Sequence, residues 1–237
     1  MENEIMKKLL LIPVLIVLPF FTRAQEDSGA RENSFKNTQL GFTLTPNVGW
    51  LRDNDNDPAT NYKGSKLGFS YGILADLSLS ANKNYYFSTA FVLTSINGKG
   101  TNDAPQGSDT FFGGEADYKI QYIEIPITLK LKSNEKALGR YYGQFGLGTG
   151  VKVAAKADRT NYGFGGIPSV KENNVNIKDR INNFRLGLIA GGGAEWKLDK
   201  SLALQTGLTF NSGFTDIFDD EGNARSSYFA LNLGLFF

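Results

Sequence analysis

Read backwards from its last residue, the chain alternates without a break. Phe237, Leu235, Leu233, Leu231 and Phe229 are large and apolar, and smaller or polar residues mostly stand between them. A period of two is the signature of a strand with one apolar face. The same period recurs in eight segments: Gln39 to Trp50, Lys66 to Ser80, Tyr85 to Ile96, Asp117 to Lys132, Arg140 to Ala154, Phe184 to Lys197, Ser201 to Asn211 and Ser227 to Phe237. In the second, Leu67, Phe69, Tyr71, Ile73, Ala75, Leu77 and Leu79 share a face opposite Gly68, Ser70, Gly72, Asp76 and Ser78. In the fourth, Ile123, Ile125, Ile127, Leu129 and Leu131 oppose Tyr122, Glu124, Pro126, Thr128 and Lys130.

The connections alternate in length. Leu51 to Ser65, Asn97 to Ala116, Lys156 to Asn183 and Ser212 to Ser226 are long and polar, and they predict loops. "ANKN", "SNEKALG" and "LDK" predict tight turns. Long and short connections in strict alternation over an even number of strands are the plan of a barrel in the bacterial outer membrane, with short turns toward the periplasm. The predicted fold is therefore all-β: an eight-stranded antiparallel up-and-down transmembrane β-barrel over residues 39–237, after a cleaved signal peptide.

Alternation alone does not say which face points in, and a soluble lipocalin-like carrier would place its apolar faces inside. Three features favour apolar faces outward. Gly146, Gly148 and Gly150, and then Gly187, Gly191 and Gly193, lie on the polar faces, where a narrow lumen needs small residues. Aromatics close the segments and predict two interfacial girdles: Trp50, Tyr118, Phe210 and Phe229 at the outer rim, and Tyr85, Tyr141, Trp196 and Phe237 at the inner rim. The last strand, finally, has the form that barrel-assembly machinery accepts, which makes Phe229, Leu231, Leu233, Leu235 and Phe237 the expected assembly signal.

Lys7 and Lys8 precede an apolar run from Leu9 to Phe21 and then "TRAQ". This predicts a signal peptide over 1–24, cut after Ala24, and a periplasmic N-terminal segment over 25–38. The run, about 13 residues, is too short for a membrane-spanning helix. The acidic start "MENEI" is unusual for such a segment, and Met6 is an alternative start.

At "YIEIPITLKLK", Tyr122 to Lys132, the chain resembles the PorT-like outer-membrane β-barrel family of Bacteroidetes. "RLGLIAGGGAEWKL" is similar to that family's glycine-rich sixth strand, "LTFNSGFTDI" to its seventh strand and following turn, and "TRAQ" to a signal end common in that phylum. The resemblance implies an eight-stranded barrel in the outer membrane of a Gram-negative cell. Some relatives take part in type IX protein secretion and most have no known activity, so that role is not carried over, and a link to secretion or envelope assembly is left open.

Composition narrows the chemistry. The chain has no cysteine and no histidine. Disulfides, thiolate nucleophiles and metal sites, imidazole bases and most zinc sites are thereby unavailable. The formal net charge of +1 gives no global bias toward nucleic acid. "DNDNDP", Asp53 to Pro58, imitates the start of a calcium loop, but Pro58 stands where glycine is needed and Gly64 where glutamate is needed, so a solvated hairpin tip is expected. "GLGTGVK" lacks the spacing of a phosphate loop. "TNYGFGGIPS" and "GSDTFFGG" place aromatics in the expected outer loops, either as a contact surface or as packing on the rim.

The remaining candidates are charges that strand parity turns into the lumen: Asp76, Glu124, Lys130, Lys132, Lys152, Arg185, Glu195 and Lys197. They predict a structural network plugging the barrel, because an unpaired charge in a narrow interior is costly. The competing readings are an acid/base pair at Glu124 and Glu195, and a thin solute path, as in a minor porin. No cofactor, metal or enzymatic activity is expected. The expected partners are outer-membrane lipid, the barrel-assembly machinery, and proteins met through the outer loops or the periplasmic face.

Overall fold

The structure, a computed structural model, describes residues 38–53, 60–62, 64–102, 113–136, 139–163, 168–199, 201–219 and 224–237. The expected signal peptide, the segment 25–37 and most of "DNDNDP" and "GSDTFFGG" lie outside the described residues. The compact unit is Gln39–Phe237.

Among the described residues ten strands follow one another: β1 (Thr38–Asp53), β2 (Thr60–Asn61), β3 (Ser65–Ser78), β4 (Tyr85–Asn102), β5 (Gly114–Lys132), β6 (Gly139–Tyr162), β7 (Pro168–Asn176), β8 (Phe184–Lys197), β9 (Ala203–Asp216) and β10 (Ala224–Phe236). Eight of them close a ring in the order β1-β3-β4-β5-β6-β8-β9-β10, and β10 returns to β1. The short β2 adds to the end of β4, and β7 adds to the end of β6. Closure runs the length of β1, from Gly41 opposite Phe236 to Asp53 opposite Ala224. The Phe237 amide donates to the Leu40 carbonyl at 2.9 Å, so the ladder reaches the final residue.

The alternating apolar stripes point outward. Phe42, Leu44, Phe69, Ile73, Phe91, Ile127, Leu147, Leu188, Leu208, Phe229, Leu231 and Leu235 are exposed around the ring. So large a continuous apolar belt is stable only against lipid. At the loop end of the belt Trp50, Phe210 and Phe229 form a ring cluster with centroids 4.9–6.2 Å apart. At the turn end Tyr85, Tyr141, Trp196 and Phe237 stand exposed. Phe237 packs on Phe42 at 5.6 Å.

Two sequence expectations need correction. Tyr118 is not in the outer girdle. It shares the inward parity of Ile120 and Tyr122 and packs inside the wall against Tyr62 and Phe218. The described residues of the expected long loops, moreover, are largely strand. β4, β5 and β6 have 18, 19 and 24 residues, whereas about 9–11 tilted residues cross a bilayer. The wall therefore continues beyond the lipid. Above the belt no outward apolar stripe is required, so the period-two signal fades while backbone pairing persists. Ion pairs replace the stripe there: Lys66 with Asp117 at 2.6 Å and Lys119 with Asp158 at 2.5 Å. The hydrogen bond from Lys119 holds the Asp158 carboxyl below the usual carboxylate range.

The terminal strand generates a test. One aromatic's burial amounts to about 1.5–3 kcal/mol, which a closed barrel tolerates. If the final aromatic also serves assembly, deleting Phe237 will lower outer-membrane yield several-fold and reduce the gel-mobility shift between unheated and boiled protein. Normal yield with a normal shift would reduce Phe237 to packing.

Candidate functional site

The interior holds most of the buried charged side chains among the described residues, and it is built in tiers. At the turn end, five charges meet. Asp76 of β3 stands opposite Ser88 of β4, whose hydroxyl donates to its Oδ1 at 2.5 Å. Lys130 of β5 donates to both Asp76 oxygens, at 3.0 and 2.8 Å, and to Gln205 Oε1 at 3.0 Å. Lys132, two residues along the same face, pairs with Asp76 and with Glu195 at 2.7 Å each and donates to Gln39 Oε1 at 2.7 Å. Its ammonium lies 3.9 Å from the centre of the Tyr86 ring. Arg140 of β6 faces Glu195 of β8 directly across the ladder. Its Nε donates to Glu195 at 2.8 Å, and its terminal nitrogens donate to Gln39 and the Tyr86 hydroxyl. Lys130, Lys132 and Asp76 are essentially sealed from solvent. Lys130 thus has three hydrogen-bonded oxygens for its three protons, the condition under which a buried ammonium group is tolerated, whereas Lys132 meets Glu195 Oε1 as an ion pair without hydrogen-bond geometry and leaves that oxygen without a hydrogen bond.

A second tier lies toward the loop end. Glu124, Gly150 and Arg185 stand in one cross-strand row. Arg185 Nη1 donates to Glu124 at 2.8 Å, Nη2 to Asn211 at 2.8 Å, and Nε to the Ser226 hydroxyl at 2.9 Å. Tyr228 donates to the other Glu124 oxygen at 2.9 Å. Glycine is what makes room. A Cβ at Gly150 would stand 3.2 Å from Glu124 Cγ, and one at Gly187 would stand 2.6 Å from Asn211 Oδ1.

Between the tiers sits a cavity of about 110 Å³, lined both by hydroxyl and amide side chains such as Thr43, Ser70 and Gln144 and by apolar ones such as Leu74, Val92 and Ile189. That is room for several waters. Above the Arg185 tier the loop end is filled by an apolar cluster of Leu51, Ile96, Ile120, Ile177, Ile181 and Ile217, with Tyr118 and Phe218 against it. Ile177 and Ile181 come from the link between β7 and β8, which contains a 3-10 turn at Lys178–Arg180. Lys152 Nζ donates to the carbonyls of Lys178 and Ile181, and Asn182 binds the carbonyls of Asp216 and Phe218.

The structure therefore divides the residues singled out by parity. Asp76, Lys130, Lys132 and Glu195 share one tier, and Glu124 and Arg185 share the other. Lys152 joins neither and holds the apolar lid through backbone carbonyls. Lys197 pairs with Glu135 at the exposed rim. Glu124 and Glu195 are held in different tiers by different cations, so they do not form an acid/base pair. Arg140, Gln39, Tyr86, Asn211, Gln205 and Tyr228 were missed, although parity points to some of them. Phe229 and Tyr141 face lipid, which turns Tyr228 and Arg140 inward.

The chain matches the family model of the outer membrane protein beta-barrel domain over residues 23–219, and it belongs to that family. It is an outer-membrane protein. No curated protein matches the chain. Among solved structures it is similar to Neisserial surface protein A, at 16% identity and TM-score 0.40, covering 82% of this chain and 95% of that one. It is similar to the attachment invasion locus protein Ail of Yersinia pestis, crystallised with sucrose octasulfate, at 10% identity and TM-score 0.37, covering 85% and 99%. OprG of Pseudomonas aeruginosa is similar at 10% identity and TM-score 0.39, covering 84% and 94%.

The two tiers predict different mutational responses. Arg185→Ala strands Glu124 in the interior and will destabilise the barrel by about 3–5 kcal/mol in denaturant unfolding. The double variant Arg185→Met/Glu124→Gln will recover much of that loss, because no unpaired charge remains. An Arg185→Ala barrel as stable as the parent would contradict this pairing. Lys132→Met, which takes one of two cations from both Asp76 and Glu195, will cost more than Lys152→Met, which frees only carbonyls.

Proposed function

We propose that this outer-membrane barrel is a non-conducting, non-enzymatic scaffold that meets other proteins through its projecting loop end or its periplasmic face. The observation that carries the reading is the double closure of the lumen. The loop end is filled by the apolar cluster around Ile177, Ile181 and Ile217. The turn end is filled by the Asp76, Lys130, Lys132, Glu195 and Arg140 tier. An interior so filled is unsuited to carrying solute. The wall that rises beyond the lipid, with the β6–β7 hairpin on it, offers an exposed surface instead.

The strand "YIEIP", Tyr122 to Pro126, supports placing the chain near the PorT-like barrels of Bacteroidetes, with a role in secretion or envelope assembly. The signal peptide over 1–24 and recognition of the last strand by assembly machinery belong to the same reading. A minor porin is the second reading, favoured by the cavity between the tiers. It requires both closures to move.

Two measurements separate these readings. Proteoliposomes will not swell in small sugars or amino acids, whereas a porin would make them swell. A photo-crosslinking residue at exposed Lys171 of β7 will give discrete protein adducts in intact outer membranes, and one at lipid-facing Leu208 will not. Solute-driven swelling, or an adduct pattern at Lys171 no different from that at Leu208, would overturn the scaffold reading.

A further inference from the structure

The turn end of the wall carries a hollow on its lipid side. There β6 and β8 meet in the register Gly139 opposite Trp196, Tyr141 opposite Ala194 and Gly143 opposite Gly192. All six positions share the outward face, because side chains alternate along each strand. Large and small residues therefore sit diagonally, two rings and two small floors. Between the rings lies a cavity of about 220 Å³ bounded by Lys136, Gly139, Tyr141, Ala194 and Trp196, and by Arg140 and Glu195, whose side chains pair with each other on the inner face. Both rings are held in place. The Trp196 indole donates to the Thr206 hydroxyl at 2.8 Å, and Tyr141 takes the Lys136 ammonium at 5.8 Å from its ring centre.

Two kinds of glycine meet here. Gly139 is required by the backbone: its φ is +141°, and a Cβ would stand 1.9 Å from the Glu195 carbonyl oxygen. Gly143 is not. Its φ is not positive, and a Cβ there would meet nothing nearer than the Gly191 carbonyl oxygen at 4.0 Å. The wall would accept a side chain at Gly143, yet the position, next outward from Tyr141 along β6, is bare and leaves open space beside the cavity. Lys136 stands over the other end. Paired backbone bonds to Gly139, at 2.9 and 3.1 Å, fix its place. The adjacent Glu135 is engaged by Lys197 at 2.8 Å, and no carboxylate among the described residues pairs with Lys136.

A hollow facing hydrocarbon is filled by lipid, so the question is which lipid. Tyrosine and tryptophan mark the headgroup level. The short turns place this end at the periplasmic leaflet, where the lipids are phospholipids. A lysine with no carboxylate partner among the described residues, standing at headgroup level, favours net negative charge. Because Lys136 already covers a face of Tyr141, a headgroup amine is disfavoured between the rings. We propose that the hollow is a binding site for an anionic phospholipid. One acyl chain lies over Gly143 and Gly192, the glycerol region sits between Tyr141 and Trp196, and the phosphate meets Lys136.

The chain has two tryptophans. Trp50→Phe keeps a ring in the loop-end cluster and leaves Trp196 as the single reporter. This barrel is reconstituted in phosphatidylcholine vesicles containing a fixed fraction of brominated phosphatidylglycerol or, separately, brominated phosphatidylcholine. Trp196 fluorescence will be quenched by the brominated phosphatidylglycerol with an apparent association about fivefold stronger, the effect of one lysine near a charged lipid. Lys136→Gln will remove the preference, and Gly143→Leu will weaken it by filling the acyl groove. Both variants are on the surface, and their folding is checked by the unheated-gel mobility shift. Equal quenching by the two lipids in the parent, or a preference that survives Lys136→Gln, would overturn the proposal.

Discussion

Everything in this protein depends on one constraint of the hydrocarbon phase: each backbone N–H and C=O inside it must be paired within the protein. A sheet meets that condition only by closing. Here closure falls to the last strand, which lies antiparallel to the first along almost its whole length. Even the Phe237 amide is engaged. The exposed apolar belt, the aromatic rims and the strict alternation of the sequence are what this closed ring requires of its outward face.

The inward face answers a second condition that follows from the first. A ring of eight strands encloses little space. Glycines at 148, 150 and 187 make room where side chains must cross the lumen. Charges placed there survive only when opposite charges and hydrogen-bonding groups surround them, and each has an opposite charge within reach except Lys152, which rests on carbonyls. Lys132 bridges Asp76 and Glu195, Arg140 completes Glu195, and Arg185 meets Glu124, Asn211 and Ser226. Such groups add little net stability over an apolar filling, but removing one partner is costly. The tiers therefore fix the wall in one register and fill the lumen at the same time. Beyond the lipid the interior turns apolar, and Ile177 and Ile181 complete it.

Strand existence, faces and closure were legible in the sequence because period two and the pleat are the same geometry. Asp76, Glu124, Lys130, Arg185 and Glu195 were placed on the inner face by parity alone. Their partners were not legible. Which residues meet across a barrel depends on strand tilt and stagger, and a linear sequence carries neither. Parity left Arg185 open between Glu124 and Glu195; the stagger brings it to Glu124 and gives Glu195 to Lys132 and Arg140. The strand extensions were read as loops because the apolar stripe ends where lipid ends, although the ladder continues to Tyr162 in β6. Tyr118 was assigned to the girdle by its chemistry, while its even spacing from Tyr122 already turned it inward.

The central claim is that the filled lumen is closed, and conductance across a planar bilayer tests it most directly. The account predicts that the purified barrel inserts without discrete single-channel steps at any polarity. It also predicts that opening both ends together, by replacing Ile177 and Ile181 with glycine and Lys132 and Glu195 with alanine, produces steps in a barrel that still shows the unheated-gel shift. Reproducible steps from the unaltered protein would contradict it.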